Sequence, residues 1–158
     1  MIGMTKVQKP LELIAILCGG ITFGTAYYLL FLSHPAWITV PFDVFLPVFK
    51  QMILNIGTSQ IIVSNIALVA CLILYFQSKD RFWLIAIAML LISLPVTMYL
   101  LMPINIHFLE ATEPEVSLNA SEKLKDWGHY QIIRFIADGL ALAAMCKPVI
   151  WRQQSKRN

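Results

Sequence analysis

Apolar positions in this chain come in long blocks instead of alternating with polar ones. Four such blocks, near residues 11–32, 52–76, 82–102 and 131–150, are separated by shorter polar stretches. A helix that crosses a hydrocarbon core of about 30 Å takes roughly 20 predominantly apolar residues, so each block predicts one membrane-spanning helix. Together they use nearly the whole chain. The expected fold is all-α: a transmembrane four-helix bundle, up-down-up-down, forming a single integral membrane domain over 1–158. With 58% hydrophobic and 13% charged residues, no stretch remains for a separate water-soluble domain.

Each block carries polar or small residues whose placement refines this picture. The first begins after Pro10, a residue suited to a helix's first turn. It contains Gly20-x-x-x-Gly24, a small-residue flank read as packing against a helix of the same chain, with a homo-oligomer through the Gly20/Gly24 face as the alternative. Glu12, near the start, can reach the membrane interface or favour the positive end of the helix dipole. MIGMTKVQKP ahead of this block has the charge pattern of a signal peptide, but the apolar run is too long and lacks a small-x-small cleavage site, so it reads as a retained span.

Between the first and second blocks, Pro35, Pro41 and Pro47 interrupt an aromatic segment that also holds His34 and Asp43. It reads as an interfacial loop or short surface-lying helix, with Trp37 at headgroup level. On the second span Asn55, Thr58, Ser59 and Asn65 share one face about 120° wide at 100° per residue. Polar side chains in a membrane helix turn toward protein or water, so this face predicts hydrogen bonds between helices or the polar lining of a ligand cavity. Pro95 predicts a kink in the outer half of the third span.

Charge sets the orientation. Lys6, Lys9, Lys79, Arg81, Lys147, Arg152, Lys156 and Arg157 fall on one side; Lys50, Lys123 and Lys125, with Arg134 at the edge, fall on the other. The positive-inside rule then places both termini in the cytoplasm, in a membrane expected to be a bacterial inner membrane. The net charge of +3 is spread by topology and gives no nucleic-acid signal. Cys18, Cys71 and Cys146 are widely spaced within apolar runs and include no Cys-x-x-Cys pair, which excludes membrane thiol oxidoreductases built on that motif.

Candidate chemistry gathers in the last third, from Met102 to Arg134. Arg134 and Asp138 lie four residues apart and share a helix face. Burying an arginine a turn inside the bilayer costs a few kcal/mol, so the pair is expected to satisfy itself or to line a cavity. A metal site is an alternative, since His107-x-x-Glu110 has helical ligand spacing and His34, Asp43, Glu113 and His129 fall on the same side. Asn119-Ala-Ser121 matches a glycosylation acceptor, a pattern that chance explains equally well.

Pro103-Ile104-Asn105 ends the third span, an acidic loop follows, and Trp127 precedes Arg134 by seven positions. This arrangement resembles the anthrone-oxygenase-like family of small four-span membrane proteins, which shows Pro-x-Asn after its third hydrophobic segment and Trp-x-x-x-His-x-x-Arg entering the fourth. The chain departs from that pattern at one position: the family's histidine falls at Gln131, and the local histidine is His129.

The resemblance implies a cofactor-independent oxygenase. Loss of an acidic C–H proton from a polycyclic phenolic substrate leaves a carbanion that reacts directly with dioxygen, and such a site needs a base, oxyanion donors and aromatic walls. His129 or His107 would be the base, Arg134 and Asn105 the donors, and Trp127 and Tyr130 the walls, with Asn55, Ser59 and Asp138 as further substrate contacts.

The expected function is therefore oxidoreduction of a hydrophobic aromatic or quinone-like molecule near the outer leaflet. The alternatives are a non-catalytic protein that binds a lipid-like ligand or a partner protein, and a metal-binding membrane protein. An enzyme should bring Arg134, Asn105 and at least one histidine to a common pocket; a binder should show Arg134 consumed by Asp138 with no cavity left.

Overall fold

The computed structural model describes residues 8–110 and 120–154. Lys6, Glu113, Glu115, the Asn119 acceptor, Lys156 and Arg157 lie outside the described residues. Four long helices account for nearly all of the rest: α1 (Gln8–Trp37), α2 (Phe42–Ser78), α3 (Arg81–Glu110) and α4 (Ala120–Gln154). No strand occurs among the described residues. The first three helices are each long and apolar enough to cross a membrane, and the protein is an integral membrane protein. α4 carries Arg134 and Asp138 within its apolar stretch. α1 packs on α2 and α4, and α3 on α4 and α2.

The helices overrun the apolar blocks that predict them. α1 and α3 are 30 residues long, about 45 Å at 1.5 Å per residue, so they extend well past a hydrocarbon core. The segment expected as an interfacial loop or short surface-lying helix is helix on both sides of a turn at 38–41, in each case as part of a long helix. Its prolines fit because Pro35 comes late in α1, Pro41 stands just before α2, and Pro47 lies within α2. Phe45, Leu46 and Phe49 form a buried apolar face that holds this part of α2 to the protein. α4 likewise starts at Ala120, 11 residues before the expected span, because Leu124 and Trp127 continue its buried stripe one and two turns earlier.

Between α2 and α3 the chain turns in two residues. Lys79 takes the left-handed conformation that ends α2 (φ 54°), and the Asp80 carboxylate accepts from Phe82 N at 3.0 Å to cap α3. At this end Lys79 lies over the rings of Tyr75 and Phe76, Arg81 over Phe82, and Lys147 over Trp151. Such pairs of basic and aromatic side chains suit a membrane surface. This end, with the starts of α1 and α3 and the end of α4, is the near half; the end with the 38–41 turn is the far half.

Two separate cores result. The near core is built on small residues, Ala15, Ala67, Ala70, Ala86, Ala141 and Ala144, around Trp83, Leu74, Leu90 and Met145. The far core is aromatic, with Trp37, Phe45, Phe49, Phe108 and Trp127 in mutual edge and tilted contacts. Among the described residues, the helices unwind into π turns only in the far half, at Tyr28–Ser33, Ile53–Gly57 and Val96–Leu101. Two of these end two residues before a proline, Pro35 and Pro103. A proline ring crowds the carbonyl four residues back and removes an N–H, and a wider turn relieves both. The irregularity predicted at Pro95 takes this form immediately after it.

Several small and polar residues sit differently from expectation. A Cβ at Gly20 or Gly24 would meet nothing within 4 Å among the described residues, so these two glycines are not where α1 closes on a neighbouring helix. The glycines in tight contact are Gly19 against Met145, Gly139 against Phe23 and Gly128 against His34. Glu12, in the second turn of α1, is buried against the protein at 6% exposure. Thr58, Ser59 and Asn65 bond no other helix; their side chains donate to the carbonyls of Leu54, Asn55 and Ile61, one turn back on α2.

Candidate functional site

Where the π turns of α2 and α3 widen the far half, the two helices part around a cavity of about 220 Å3. Its mouth is apolar: Leu54, Ile61, Leu94, Met98 and Ile106 are all exposed on the outward side. Its polar end is formed by Gln131 and Arg134 of α4, Asn105 and Ser93 of α3, and Gln60 of α2. Chambers that take small ligands typically measure about 300–1,000 Å3. This one is smaller, so a bound molecule would lodge its polar end inside and leave part of its body in the mouth between α2 and α3.

Arg134 is 7% exposed and Asp138 1%, and the Arg134 Nε stands 3.6 Å from Asp138 Oδ2. A charge this deep requires a partner, and the i,i+4 carboxylate supplies it. The ion pair is long, and the Ser93 hydroxyl of α3 stands by the same Asp138 carboxylate. Gln131 lies three residues before Arg134 on the same face of α4, is 2% exposed, and has an Oε1 with no hydrogen-bond partner among the described residues.

Across the groove, Trp127 Nε1–H donates to Asn105 Oδ1 at 2.9 Å. Trp127 is fully buried, and this bond ties the far ends of α3 and α4 while turning the Asn105 side chain alongside the cavity. The Pro103-Ile104-Asn105 turn and the Trp127-to-Arg134 segment, distant in sequence, are thus brought together.

The histidines do not join them. His34 Nε2 lies 3.0 Å from the Leu124 carbonyl, and its ring stacks on Trp127. A Cβ at Gly128 would stand 2.5 Å from the His34 ring, so glycine is what lets the imidazole approach α4. His107 is half-buried against Phe108, its Nε2 without a hydrogen-bond partner among the described residues, and His129 is exposed. None of the three lines the cavity. Among the described residues no three His, Cys, Asp or Glu side chains gather as a metal site would require, so His34, His107, Glu110 and His129 do not form the ligand set considered above.

The remaining expected contacts are dispersed. Tyr130 packs against the far core. Asn55 and Ser59 line a shallower groove of about 480 Å3 between α1 and α2. Asp138 is not in the cavity wall itself but adjoins it through Arg134 and Ser93, which are. Gln131, Gln60 and Ser93 line it without having been singled out as contacts by sequence reasoning. For Gln131 a signal existed, since residues 131, 134 and 138 follow the i, i+3, i+7 rhythm of a helix face.

No curated protein and no solved structure shows a significant match to the chain. A family model does: that of anthrone oxygenase matches residues 49–144, a stretch that includes all five residues of the cavity's polar end and both halves of the Asn105–Trp127 bond. This integral membrane protein belongs to the anthrone oxygenase family.

Proposed function

We propose that the chain is a membrane-embedded oxidoreductase that oxidises a hydrophobic aromatic or quinone-like molecule held in the cavity between α2 and α3. One observation carries the reading: a guanidinium, buried at 7% exposure, faces a ligand-accessible space beside Asn105. In this proposal the protein is a transmembrane four-helix bundle, up-down-up-down, with both termini cytoplasmic in a bacterial inner membrane. Its cavity then lies toward the outer leaflet, where an apolar substrate enters sideways from the lipid.

The chemistry would need no cofactor. Proton loss from an activated ring methylene gives a carbanion stabilised as its enolate, whose oxygen accepts hydrogen bonds from Arg134 and Asn105. Addition of O2 at that carbon and loss of water convert CH2 to C=O, so one O2 is consumed and one H2O released per carbonyl formed. Base candidates are His107 and His129, both outside the cavity wall.

The missing histidine favours a second reading. Gln131 stands in the cavity where the family pattern has a base, and glutamine does not take up a proton at neutral pH. A non-catalytic protein binding a lipid-like ligand would keep Arg134 and lack that base.

Oxygen uptake and quinone absorbance, with anthrone added to the protein in lipid nanodiscs, decide between the two. Turnover above empty nanodiscs, lost in Arg134→Ala and reduced in His107→Ala or His129→Ala, is the outcome expected of an enzyme. Saturable anthrone binding without O2 uptake is the outcome of a binder.

A further inference from the structure

We infer that proton removal in this cavity is done by Ser93 and Asp138 in series: the Ser93 hydroxyl meets the substrate and hands its own proton to the carboxylate behind it. The inference rests on the proposed oxidation and supplies that reaction with its base.

Five residues with aliphatic hydroxyls line the cavity, and four of these hydroxyls are turned back on their own helices: those of Thr22, Thr58, Ser64 and Thr97 donate to carbonyls one turn earlier. That of Ser93 differs. It stands by the Asp138 carboxylate, across the contact of α3 with α4. Ser93 is 8% exposed and in the cavity wall, whereas Asp138, at 1%, is sealed behind it. Among the described residues Arg134 is the one ionisable group in the wall, and Asp138 is the carboxylate that adjoins it. The short route from a guest to a proton acceptor therefore runs through the Ser93 oxygen.

Charge favours this exchange in an apolar setting. Creating a lone anion away from water is costly, but here none is created. Before the step the Arg134 guanidinium faces the Asp138 carboxylate at 3.6 Å; after it, Arg134 faces the enolate and Asp138 is a neutral carboxyl. The C–H proton passes to Ser93 Oγ as the Ser93 hydroxyl proton passes to Asp138. O2 then adds to the enolate carbon, and the Asp138 proton returns through Ser93 to the peroxide oxygen. Loss of the second C–H proton along the same path breaks the O–O bond. The departing hydroxide takes that proton and leaves as water, so the carbonyl forms with Asp138 ionised again.

Anaerobic uptake of deuterium from D2O into the methylene of anthrone isolates the first proton transfer from the reaction with O2. It is followed by mass spectrometry with protein in nanodiscs, corrected for empty nanodiscs. Ser93→Ala keeps the Arg134–Asp138 pair and should slow both this exchange and kcat by about 100-fold or more, the share a positioned base contributes. Equilibrium dialysis of the same probe under argon should give an affinity within about threefold of the unmodified protein's. Ser93→Thr, which restores a hydroxyl, should recover at least about a tenth of the exchange rate. Asp138→Asn, which keeps the shape and takes up no proton, should match Ser93→Ala, and Ser93→Ala carries the test alone should the asparagine variant fail to fold.

Exchange in Ser93→Ala within about threefold of the unmodified rate overturns the inference. Where that exchange is lost instead in His107→Ala or His129→Ala, the oxidation stands with a histidine as its base. Loss of exchange in Ser93→Ala and Ser93→Thr alike, or a fall in affinity that matches the fall in rate, makes Ser93 a packing residue and overturns the inference as well. Saturable binding of anthrone by the unmodified protein, with no exchange above empty nanodiscs, removes the inference and the oxidation together.

Discussion

The near and far halves use the same four helices to opposite ends. In the near half six alanines bring backbones close around Trp83, which is fully buried. Close fit of small side chains dominates this region, as expected where lipid offers apolar side chains no reason to leave it. In the far half bulky aromatics keep the helices apart, three π turns widen them, and the space between α2 and α3 stays open. Gln131, Arg134 and Asp138 stand where one regime gives way to the other. A tight frame at one end fixes the helices so that the other end can hold a polar chamber in an apolar setting.

The largest effect expected concerns the junction. Arg134→Ala leaves the Asp138 carboxylate buried without its counter-ion, and thermal or denaturant unfolding in detergent should register a loss of about 3–5 kcal/mol. The double substitution Arg134→Met with Asp138→Leu removes both charges and should recover most of that loss. If Arg134→Ala unfolds like the unmodified protein, water already reaches the pair, and the separation into a tight half and a hollow one is wrong at its boundary.

A smaller effect contrasts the halves directly. Ala141 is 1% exposed in the near core, and Ala141→Leu should destabilise by about 1–3 kcal/mol through overpacking. Thr97→Leu adds bulk at the edge of the cavity, where space exists, and should change stability by less than about 1 kcal/mol while weakening probe binding. Equal destabilisation by both would mean that the far half is packed as closely as the near one.

Much of this architecture is legible in the chain because the bilayer makes the hydrophobic pattern so strong. Four apolar blocks give four helices, and the rarity of intramembrane charge draws the eye to Arg134 and Asp138. Boundaries are less legible because a helix does not stop where the lipid does. The amphipathic start of α4, with Leu124 and Trp127 inward and Lys125 and Asp126 outward, reads as a polar loop when only hydropathy is followed. Proline misleads in the same way: Pro35 and Pro47 read as breaks, yet local rewinding and helix-end positions absorb them.

The candidate site was partly legible. Asn105, Trp127 and Arg134 are brought together across two helices, but His129 is not, because once this stretch is helix it stands two residues, about 200°, from Trp127 and Gln131 and so on the opposite face. It is exposed, while Trp127, two residues earlier, is fully buried. The polar face of α2 divides between two hollows, Thr58 and Asn65 on one and Asn55 and Ser59 on the other. Helical periodicity groups such residues without saying which neighbour they meet. The openness of Gly20 and Gly24 is likewise a property of where α1 meets α2 and α4, not of the glycines themselves.

The central claim is that a guanidinium between α2, α3 and α4 addresses a space made for a guest. An experimental high-resolution structure of the protein purified with native lipid tests it most directly. The account predicts non-protein density in the cavity, within hydrogen-bonding distance of Arg134 and Gln131, reaching out past Met98. A structure in which α2 and α3 close on each other across Leu54 and Met98, with Arg134 engaged only by Asp138 and no space beside it, would contradict it.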